Sequence, residues 1–439
     1  MISKEKIYES LIFWNYWNRK PDNIIERPEY QKLINQYKST NEIIVFEGIR
    51  RSGKSTLMLL EIKNLLDSKT NPNNILFVNF EDPLFYDNLN LNLLDNIYET
   101  YLEYLNPKGK IYLFLDEVQN INAWEKWVLK FYETNKNMQI FVTGSSSKLL
   151  SSEFSTALSG RHLKIKVFPL NFKEYLFFNN LNIKNKSDLI KNKIKIKRLL
   201  KEYLNYGGFP KLTSLKNKQN KKIELIEYFD TIILKDISKR YKISTEYIKK
   251  LAFYLMSNNA KLYSINNLKK MELGSYETIK KYIRYLKEVY LIFDLQIFDY
   301  SVKKQMINHK KNYSIDTGFV NSVSFKFSEN IGHLLENVVF IELKRRNKEI
   351  YYHKKKYECD FVIKENNQIV TAIQVSQTIS DSDTKKREIN GLLDAMKTYN
   401  LKTGLILTED EEKIIHKKND ENINYKIIVK PIWKWLLSE

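Results

Sequence analysis

The chain has 439 residues, 43% of them hydrophobic, and a formal net charge of +20 at pH 7. This length exceeds what one ordinary core requires, so we expect several domains. The single cysteine, Cys359, excludes an internal disulfide. No apolar run reaches the roughly 20 residues of a membrane-spanning helix, and the first residues lack a signal-peptide core. We therefore expect a cytoplasmic protein with no membrane partner.

The positive charge has two interpretations. It would attract an anionic partner, most simply DNA or RNA. The chain is also rich in Lys, Asn, Ile and Tyr together, a composition that an AT-rich genome produces without selection for a ligand. Because charge alone supports only non-specific attraction, both interpretations stay open.

Residues 1–40 are predicted to form an N-terminal helical segment. An apolar, β-branched strand follows over 42–47, and residues 57–66 have the apolar spacing of a helix. The sequence between them fits the pattern G-x-x-x-x-G-K-[ST], which binds phosphate when it stands between a strand and a helix. The residues of this phosphate loop are Gly48, Ile49, Arg50, Arg51, Ser52, Gly53, Lys54, Ser55 and Thr56.

Each residue type in the loop has a chemical reason. Gly48 and Gly53 permit backbone angles that a side chain would forbid, so the loop amides can turn inward around an anion. The helix that begins there adds the positive end of its dipole. Lys54 supplies a mobile charge for the β- and γ-phosphates, and Ser55 offers a hydroxyl to Mg²⁺, which prefers hard oxygen ligands. The loop therefore predicts ATP and Mg²⁺ as ligands.

A second motif, Asp116-Glu117, ends the apolar run over 110–115. We expect Asp116 to hold Mg²⁺, mostly through water, and Glu117 to orient and deprotonate the attacking water. The alternative is that the two carboxylates only cap the next helix.

Further strands are predicted over 74–80, 138–143 and 163–168, with helical segments between them. This alternation predicts a three-layer α/β domain with a parallel sheet over residues 41–170. Because ligands bind at the carboxyl ends of parallel strands, we expect the phosphate loop, Asp116-Glu117 and Ser145 to meet at one edge.

The segments GIRRSGKST, FVNFED, YLFLDEVQN, FVTGSSSKLL, LSGR and FPLNFKEY occur in an order that is similar to one protein family. They resemble the archaeal and bacterial AAA-type ATP-binding proteins that carry a C-terminal nuclease-like domain of unknown function. The resemblance covers nearly the whole chain. It implies a polar γ-phosphate sensor at Ser145 or Ser146, an arginine finger or sensor at Arg161, and a helical lid over 171–243. A structural ion pair is the alternative for Arg161.

Residues 244–320 are predicted to form a winged helix. Helices over 247–257, 265–271 and 276–286 precede two strands, and the third helix follows a Gly-Ser turn. Its exposed Lys280, Lys281 and Arg284 could enter a major groove. The alternative is that this region only packs domains together.

Residues 325–439 are predicted to contain a helix, three strands, a helix and a strand, an order that resembles the PD-(D/E)xK nuclease fold. The resemblance implies that Asp360 and Gln374 hold Mg²⁺, with Glu336 as the helix acid. The position of the catalytic lysine holds Ser376 instead. A lysine could reach in from the next helix, which carries Lys385 and Lys386.

Together, these observations predict an AAA-type ATPase that hydrolyses ATP with Mg²⁺ and couples its nucleotide state to nucleic-acid binding. A nucleotide-gated switch that scaffolds protein partners and an ATP-controlled nuclease are the alternatives. Association into a homo-oligomer remains open.

Overall fold

A computed structural model describes residues 2–22, 24–145, 158, 160–324, 331–418 and 424–438. Contacts between Cα atoms divide the chain into two units, Met1–Val167 and Phe168–Glu439. In the described parts of the chain, no helix combines the length and the apolar character needed to cross a membrane.

The first unit contains a five-stranded parallel sheet in the order β2-β3-β4-β1-β5. Its strands are β1 (Ile43–Glu47), β2 (Ile75–Asn79), β3 (Ile111–Asp116), β4 (Met138–Gly144) and β5 (His162–Lys166). Its α-helices are α1 (Lys4–Trp14), α2 (Pro28–Lys38), α3 (Lys54–Asp67), α4 (Leu91–Leu105) and α5 (Trp124–Thr134). Short 3-10 turns cover Pro72–Asn74, Pro83–Asn88 and Val118–Asn120. The strands agree with the predicted ones to within two residues at each end.

Side chains of β1 alternate between two hydrophobic cores. Ile43 and Val45 belong to the core that contains Leu11 of α1 and Trp127 of α5, whereas Phe46 belongs to the core on the opposite face. Successive residues of a strand point to opposite faces, so a strand with consecutive apolar residues, such as those at 43–46, needs cover on both sides. The fold is therefore the predicted three-layer α/β fold.

The second unit begins with a helical region. Its helices are α6 (Phe172–Phe178), α7 (Lys186–Lys191), α8 (Lys193–Tyr206), α9 (Pro210–Ser214) and α10 (Lys218–Thr231), followed by a π-helix over Ile232–Lys239. Asn171 starts α6 with a capping box, in which its side chain accepts from the Glu174 amide and the Glu174 carboxylate accepts from the Asn171 amide.

A small antiparallel sheet with the strand order β6-β8-β7 follows. The elements of this region are α11 (Thr245–Ser257), β6 (Leu262–Tyr263), α12 (Ile265–Lys269), α13 (Tyr276–Glu288), β7 (Ile292–Leu295), α14 (Val302–Ile307), β8 (Lys310–Ser314) and α15 (Thr317–Val323). The three predicted helices and two predicted strands are present. Strand β6 and helices α14 and α15 were not predicted, because two, six and seven residues are too few to produce a clear periodicity.

The chain ends in a six-stranded mixed sheet with the order β13-β14-β12-β11-β10-β9. Its elements are α16 (Ile331–Arg345), β9 (Glu349–Lys354), β10 (Glu358–Glu365), β11 (Gln368–Val375), α17 (Ser382–Thr398), β12 (Thr403–Thr408), β13 (Lys413–Lys418), β14 (Asn424–Pro431) and α18 (Ile432–Leu436). Helix α17 packs Leu392 and Met396 into a core with Cys359 and Val362 of β10. Strands β13 and β14, which pair antiparallel, and helix α18 were not among the predicted elements.

Candidate active site

The strand order of the first unit brings the predicted nucleotide residues to one edge of the sheet. Strand β4 lies between β1 and β3, with Glu47 opposite Gly144 and Leu115 opposite Val142. The phosphate loop leaves β1, Ser145 follows β4, and Asp116 ends β3. Three segments that are far apart in sequence therefore end side by side, where ligands of parallel sheets bind.

Gly48 and Gly53 shape the phosphate loop in different ways. Gly48 has φ +154°, and a Cβ at this position would lie 2.2 Å from the carbonyl oxygen of Val167. Gly53 has φ +100° and immediately precedes α3, so the loop enters the helix through a conformation that side chains rarely adopt. Ser52 is fully buried in the loop, and its hydroxyl has no hydrogen-bond partner among the described residues.

Lys54 points back over the loop. Its Nζ donates to the carbonyl oxygens of Gly48 at 3.1 Å and Ile49 at 3.2 Å. The same Nζ lies 3.9 Å from Oε1 of Glu117. A buried ammonium held by neutral carbonyl oxygens can exchange them for phosphate oxygens, which carry more charge.

Asp116 is the centre of a hydrogen-bond network. Its Oδ1 accepts from the Ser55 hydroxyl at 2.9 Å and from the Thr143 hydroxyl at 2.5 Å. Burial, with a further contribution from the neighbouring negative charge of Glu117, raises the pKa of Asp116 to about 6. A carboxylate that burial disfavours in this way gains from a nearby cation. The oxygens of Ser55 and Asp116 are the hard ligands that Mg²⁺ prefers, so these two residues fit this metal.

Glu117 has the left-handed backbone angle φ +54°. Its amide N–H donates to the Thr143 hydroxyl at 2.8 Å, and its Oε2 accepts from Nε2 of Gln119 at 2.5 Å. A left-handed conformation costs a residue with a side chain about 1 kcal/mol or more. Thr143 and Gln119 together hold Glu117 in this conformation, with its carboxylate close to Lys54.

Sequence reasoning missed three residues that support this site. Thr143 contacts both Asp116 and Glu117, and its only signal was a hydroxyl at the end of a strand. No sequence feature of Gln119 predicted its contact with Glu117. Arg27 donates from Nη1 to the carbonyl oxygen of Ser52 at 3.1 Å and stacks on the ring of Tyr30, so the segment before β1 contacts the phosphate loop.

The remaining residues that were predicted for the nucleotide site differ in their exposure and in their contacts. Ile49 is buried and Thr56 is exposed. Arg50 pairs with Glu81 at 3.0 Å, while Arg51 is exposed with φ +69°. Ser145 is buried at the end of β4, and Ser146 lies outside the described residues.

Arg161 is not brought to the phosphate loop of its own chain. Its carbonyl oxygen accepts from the amide of Ile43, at the amino ends of β1 and β5. Its guanidinium pairs with Glu133 at 3.0 Å, as in the alternative interpretation. The phosphate loop leaves the other end of β1, so a role as an arginine finger stays a prediction that requires a neighbouring copy.

In the second unit, Glu336, Asp360 and Gln374 lie around one cleft of about 760 Å³. Oδ2 of Asp360 accepts from the Val375 amide at 2.9 Å, and the Asp360 amide donates to Oε1 of Gln374 at 3.3 Å. Nε2 of Gln374 donates to Glu388 at 2.5 Å. The three residues that the resemblance selected are thus together.

The centre of this cleft is occupied by an ammonium group that was not predicted. Nζ of Lys311 lies 3.0 Å from Oε1 of Glu336, 2.9 Å from Oε1 of Glu358 and 2.9 Å from Oδ1 of Asp360. Burial lowers the pKa of Lys311, but the carboxylates outweigh this and raise it well above its ordinary value. Burial and the charge of Asp360 raise the pKa of Glu336 to about 8.

Ser376 lines this cleft, but Lys385 and Lys386, which could have supplied a lysine from the next helix, do not. The hydroxyl of Ser376 donates to the carbonyl oxygen of Thr378 at 2.8 Å. Lys385 and Lys386 are exposed, and it is Arg387 of the same helix that reaches the cleft and pairs with Glu388 at 2.6 Å. Within the described ranges, no group of three or more His, Cys, Asp and Glu side chains has an arrangement able to hold a metal ion.

Comparisons with protein-family models divide the chain into three stretches. A model described as an AAA domain matches residues 40–176. Two models described as domains of unknown function, DUF8612 and DUF4143, match residues 197–330 and 331–433. With the parallel sheet, the phosphate loop and Asp116-Glu117, the first match defines a P-loop ATPase of the AAA type, which binds ATP.

Relatives are found along the whole chain. The uncharacterized protein MJ1544 of Methanocaldococcus jannaschii is 36% identical over 455 residues, which cover 100% of this chain and 97% of that protein. An uncharacterized protein of Haemophilus influenzae is 30% identical over 82% of this chain and 90% of its own length. The chain belongs to the family of these two proteins.

One similar solved structure is the Walker-type ATPase PABY2304 of Pyrococcus abyssi. It has a TM-score of 0.43 and 15% sequence identity, and the alignment covers 71% of this chain and 99% of that chain.

Proposed function

We propose that this AAA-type ATPase hydrolyses ATP with Mg²⁺ at the edge of the first sheet and that its nucleotide state controls nucleic-acid binding by the second unit. One hydrogen-bond network supports the hydrolytic part of this proposal. The hydroxyls of Ser55 and Thr143 donate to Asp116, and the Thr143 hydroxyl accepts from the amide of Glu117. Three segments contribute these four polar groups, and their chemistry matches phosphoryl transfer to water.

Each residue then has one task. The loop amides and Lys54 bind the β- and γ-phosphates, and Ser55 and Asp116 would hold Mg²⁺, which neutralises phosphate charge when bound. Glu117 orients a water and accepts its proton, since Thr143 and Gln119 fix the direction of its carboxylate. Ser145, at the end of the neighbouring strand, is proposed to sense the γ-phosphate.

The nucleic-acid part is supported by a groove in the second unit. The groove has a volume of about 940 Å³ and runs along α13. Its charged lining consists of five cationic side chains and His309 against two acidic ones: Lys280, Lys281, Arg284, Lys287, Lys310, His309, Glu277 and Asp294. Four of these cations pair with carboxylates: Lys287 and Lys310 with Asp294 at 2.6 and 3.8 Å, Arg284 with Glu288 at 3.5 Å, and Lys280 with Glu277 at 4.0 Å. The cations of the groove still outnumber its two acidic side chains, so a net positive charge is left for phosphate groups.

We interpret residues 244–320 as a winged helix in which α13 is the recognition helix. Ser275 caps this helix by accepting from the Thr278 amide at 3.2 Å. Its buried side chains include Ile279 and Leu286, so the lysines and the arginine between them are turned outward. A helix with one basic face beside an antiparallel sheet matches the geometry that enters a major groove.

The experiment is steady-state ATP hydrolysis by the full chain, with and without duplex DNA, single-stranded DNA and RNA. We expect at least one of these to increase turnover, and we expect the increase to diminish steeply as salt rises, because phosphate contacts release counterions. Hydrolysis that no nucleic acid changes, combined with no binding at low salt, would refute the coupling while leaving the ATPase assignment intact.

A protein-binding switch is the second candidate, and exposed apolar side chains favour it. Tyr300, Val302, Met306 and Ile307 are 67% to 82% exposed around α14, next to the basic groove. Exposed apolar side chains that lie close together are typical of a surface that binds another protein. This candidate predicts slow hydrolysis and a different sedimentation coefficient in ATP and ADP, and equal sedimentation in both would remove it.

The arrangement of Glu336, Asp360 and Gln374 supports a nuclease-like fold for the C-terminal region. An ATP-controlled nuclease would require a metal ion among these residues. Ser376 replaces the expected lysine, so cleavage is not part of the function proposed here.

A further inference from the structure

Lys311 and Tyr313 enter the C-terminal carboxylate cleft from a different sheet. Both belong to β8, and residues two apart on a strand point to the same face. Lys311 reaches Glu336 and Asp360 through its ammonium group, and the hydroxyl of Tyr313 donates to the same Oε1 of Glu336 at 2.7 Å. One face of β8 therefore meets the predicted metal ligands of the C-terminal region.

The ammonium group of Lys311 has one carboxylate partner for each of its N–H donors. A lysine has three N–H donors, and its Nζ lies 2.9 to 3.0 Å from one oxygen each of Glu336, Glu358 and Asp360. The side chain is only 3% exposed. These carboxylates come from α16 and β10, so a single cation gathers oxygens from two elements, which is the task of a metal ion in such a cleft.

Strand pairing on both sides holds the backbone of Lys311 in place. Strand β8 is the middle strand of its sheet, and Lys311 is paired with Leu262 on one side and Leu295 on the other. Tyr313 is stacked on Phe340 of α16, with the ring centroids 4.1 Å apart. The backbone of Lys311 is therefore fixed beside the cleft, and its ammonium could withdraw only by breaking its contacts with three carboxylates.

We propose that the ammonium of Lys311 permanently takes the place of a divalent cation in this cleft. Mg²⁺ would need the same carboxylate oxygens at about 2.1 Å, and two cations cannot share this position. The carboxylates then form an ionic joint between β8 and the C-terminal sheet, and they are not a metal-dependent nuclease centre. The disagreement with the PD-(D/E)xK pattern thus has a structural cause besides Ser376.

The first test measures the binding of Mn²⁺ to nucleotide-free full-length protein. The electron paramagnetic resonance signal of free Mn²⁺ reports how much metal is left unbound. The Asp116→Asn background removes the metal position of the ATPase site. We expect this protein to leave the free Mn²⁺ signal unchanged at equimolar metal. Binding of one Mn²⁺ that disappears on adding Asp360→Asn would overturn the proposal.

The same measurement on Lys311→Met gives the opposite expectation. Methionine has a similar length without the charge, so the carboxylates are released from the ammonium and one Mn²⁺ should bind. Adding Asp360→Asn should abolish that binding. A folded Lys311→Met protein that retains no Mn²⁺ would contradict the claim that the ammonium replaces a metal ion.

A rescue experiment covers the case in which Lys311→Met does not fold. Removing the ammonium leaves buried carboxylates unpaired, so we expect a lower melting temperature or loss of folding. Adding Glu336→Gln and Asp360→Asn removes those charges and should recover at least half of the lost melting temperature, or restore folding. If the losses of melting temperature caused by the separate substitutions simply add, the ammonium and the carboxylates do not stabilise each other and the proposal is wrong. If neither variant folds, the protein that retains Lys311 still decides through its Mn²⁺ binding.

Discussion

The hydroxyl of Ser55 donates a hydrogen bond of 2.9 Å to Oδ1 of Asp116, across 61 residues of sequence. Ser55 lies in the first turn of α3 and Asp116 at the end of β3, so the bond joins the phosphate loop to the strand that leads to Glu117, the proposed catalytic base. The same Oδ1 accepts from Thr143. Two potential metal ligands are thus already in contact before nucleotide binds, which reduces the cost of assembling the site.

Replacing Glu117 by glutamine is predicted to separate binding from chemistry. The glutamine side chain keeps the size of glutamate but cannot accept a proton, so turnover should fall by roughly 100-fold or more. ATP affinity should stay close to that of the wild type. Isothermal titration with ATP and a phosphate-release assay measure the two properties. Lys54→Ala is the matched control and should lose ATP binding itself, because it removes the charge that faces the phosphates.

If the Glu117→Gln protein releases phosphate at the wild-type rate, Glu117 is not the base. The proposed chemistry would then need another group to activate water.

Thr143 is predicted to be a positioning residue for the two carboxylates. Thr143→Val keeps the shape but leaves the buried amide of Glu117 and Oδ1 of Asp116 without this partner. An unsatisfied buried group costs about 1–3 kcal/mol, so we expect that loss in the free energy of unfolding. Turnover should fall more than ATP affinity, since the direction of Glu117 is lost. Urea unfolding and kcat measurements check both.

Thr143→Ser is the control for this substitution. Serine retains the hydroxyl and should restore most of the activity. Equal damage by valine and serine would point to packing of the missing methyl group instead of the hydrogen bonds.

The buried Asp116 makes the stability of the nucleotide-free protein depend on pH. Burial raises its pKa to about 6 from the ordinary value of 3.8, so the folded state holds the proton more tightly than the unfolded state does. The stability that this tighter proton binding gives the folded state is fully present below about pH 4 and is lost as pH rises through about 6. A pKa shift of about two units corresponds to about 3 kcal/mol in the free energy of unfolding. We therefore expect Asp116→Asn to be more stable than the wild type at about pH 7.5.

The measurement is thermal unfolding in the presence of a chelator at about pH 4 and about pH 7.5. The advantage of Asp116→Asn should be largest at the higher pH and small at the lower one. An advantage of the same size at both values would show that the charge of Asp116 is not its origin. This cost is of the kind that functional sites impose on stability.

Much of the first unit was predictable because its signals are local. The four strands β1 to β4 are largely apolar runs of five to seven residues, and the phosphate loop combines two glycines, a lysine and a serine in a fixed spacing. The convergence of Ser55, Asp116 and Ser145 at one edge followed from the rule that parallel strands end together.

The supporting contacts were not predictable, since they depend on residues that are distant in sequence. Lys311 meets Glu358 and Asp360 across 47 and 49 positions, and a lysine in a strand has no sequence signal for burial. Arg161 illustrates the opposite problem. Its motif suggested a nucleotide contact, but the register of β5 against β1 places it at the amino end of the sheet.

The basic groove is predicted to determine the salt dependence of nucleic-acid binding. Lys281→Ala combined with Arg284→Ala removes two outward charges from α13. Fluorescence anisotropy with labelled DNA should show weaker binding at every sequence tested and a salt slope smaller by about 1–2, because each lost phosphate contact lowers the slope by about 0.9. ATP hydrolysis without nucleic acid should be unchanged.

Lys249→Ala combined with Lys250→Ala is the matched control. It removes the same charge from α11, outside the groove. If this control weakens binding as much as the groove variant, attraction is a property of the overall charge and the groove is not the binding site.

Gly48 is predicted to be required for its lack of a side chain. In Gly48→Ala the new Cβ would lie 2.2 Å from the carbonyl oxygen of Val167, and a backbone oxygen directly after β5 cannot move aside cheaply. We expect the loop to shift, with loss of ATP binding and a lower melting temperature. Gly109→Ala is the control, because Gly109 also has a positive φ, +91°, but its Cβ would approach nothing closer than 3.9 Å. Its backbone strain alone should lower the melting temperature by a smaller amount and leave ATP affinity unchanged. Equal loss of ATP binding in both variants would mean that general destabilisation, and not the approach of Val167, explains the role of Gly48.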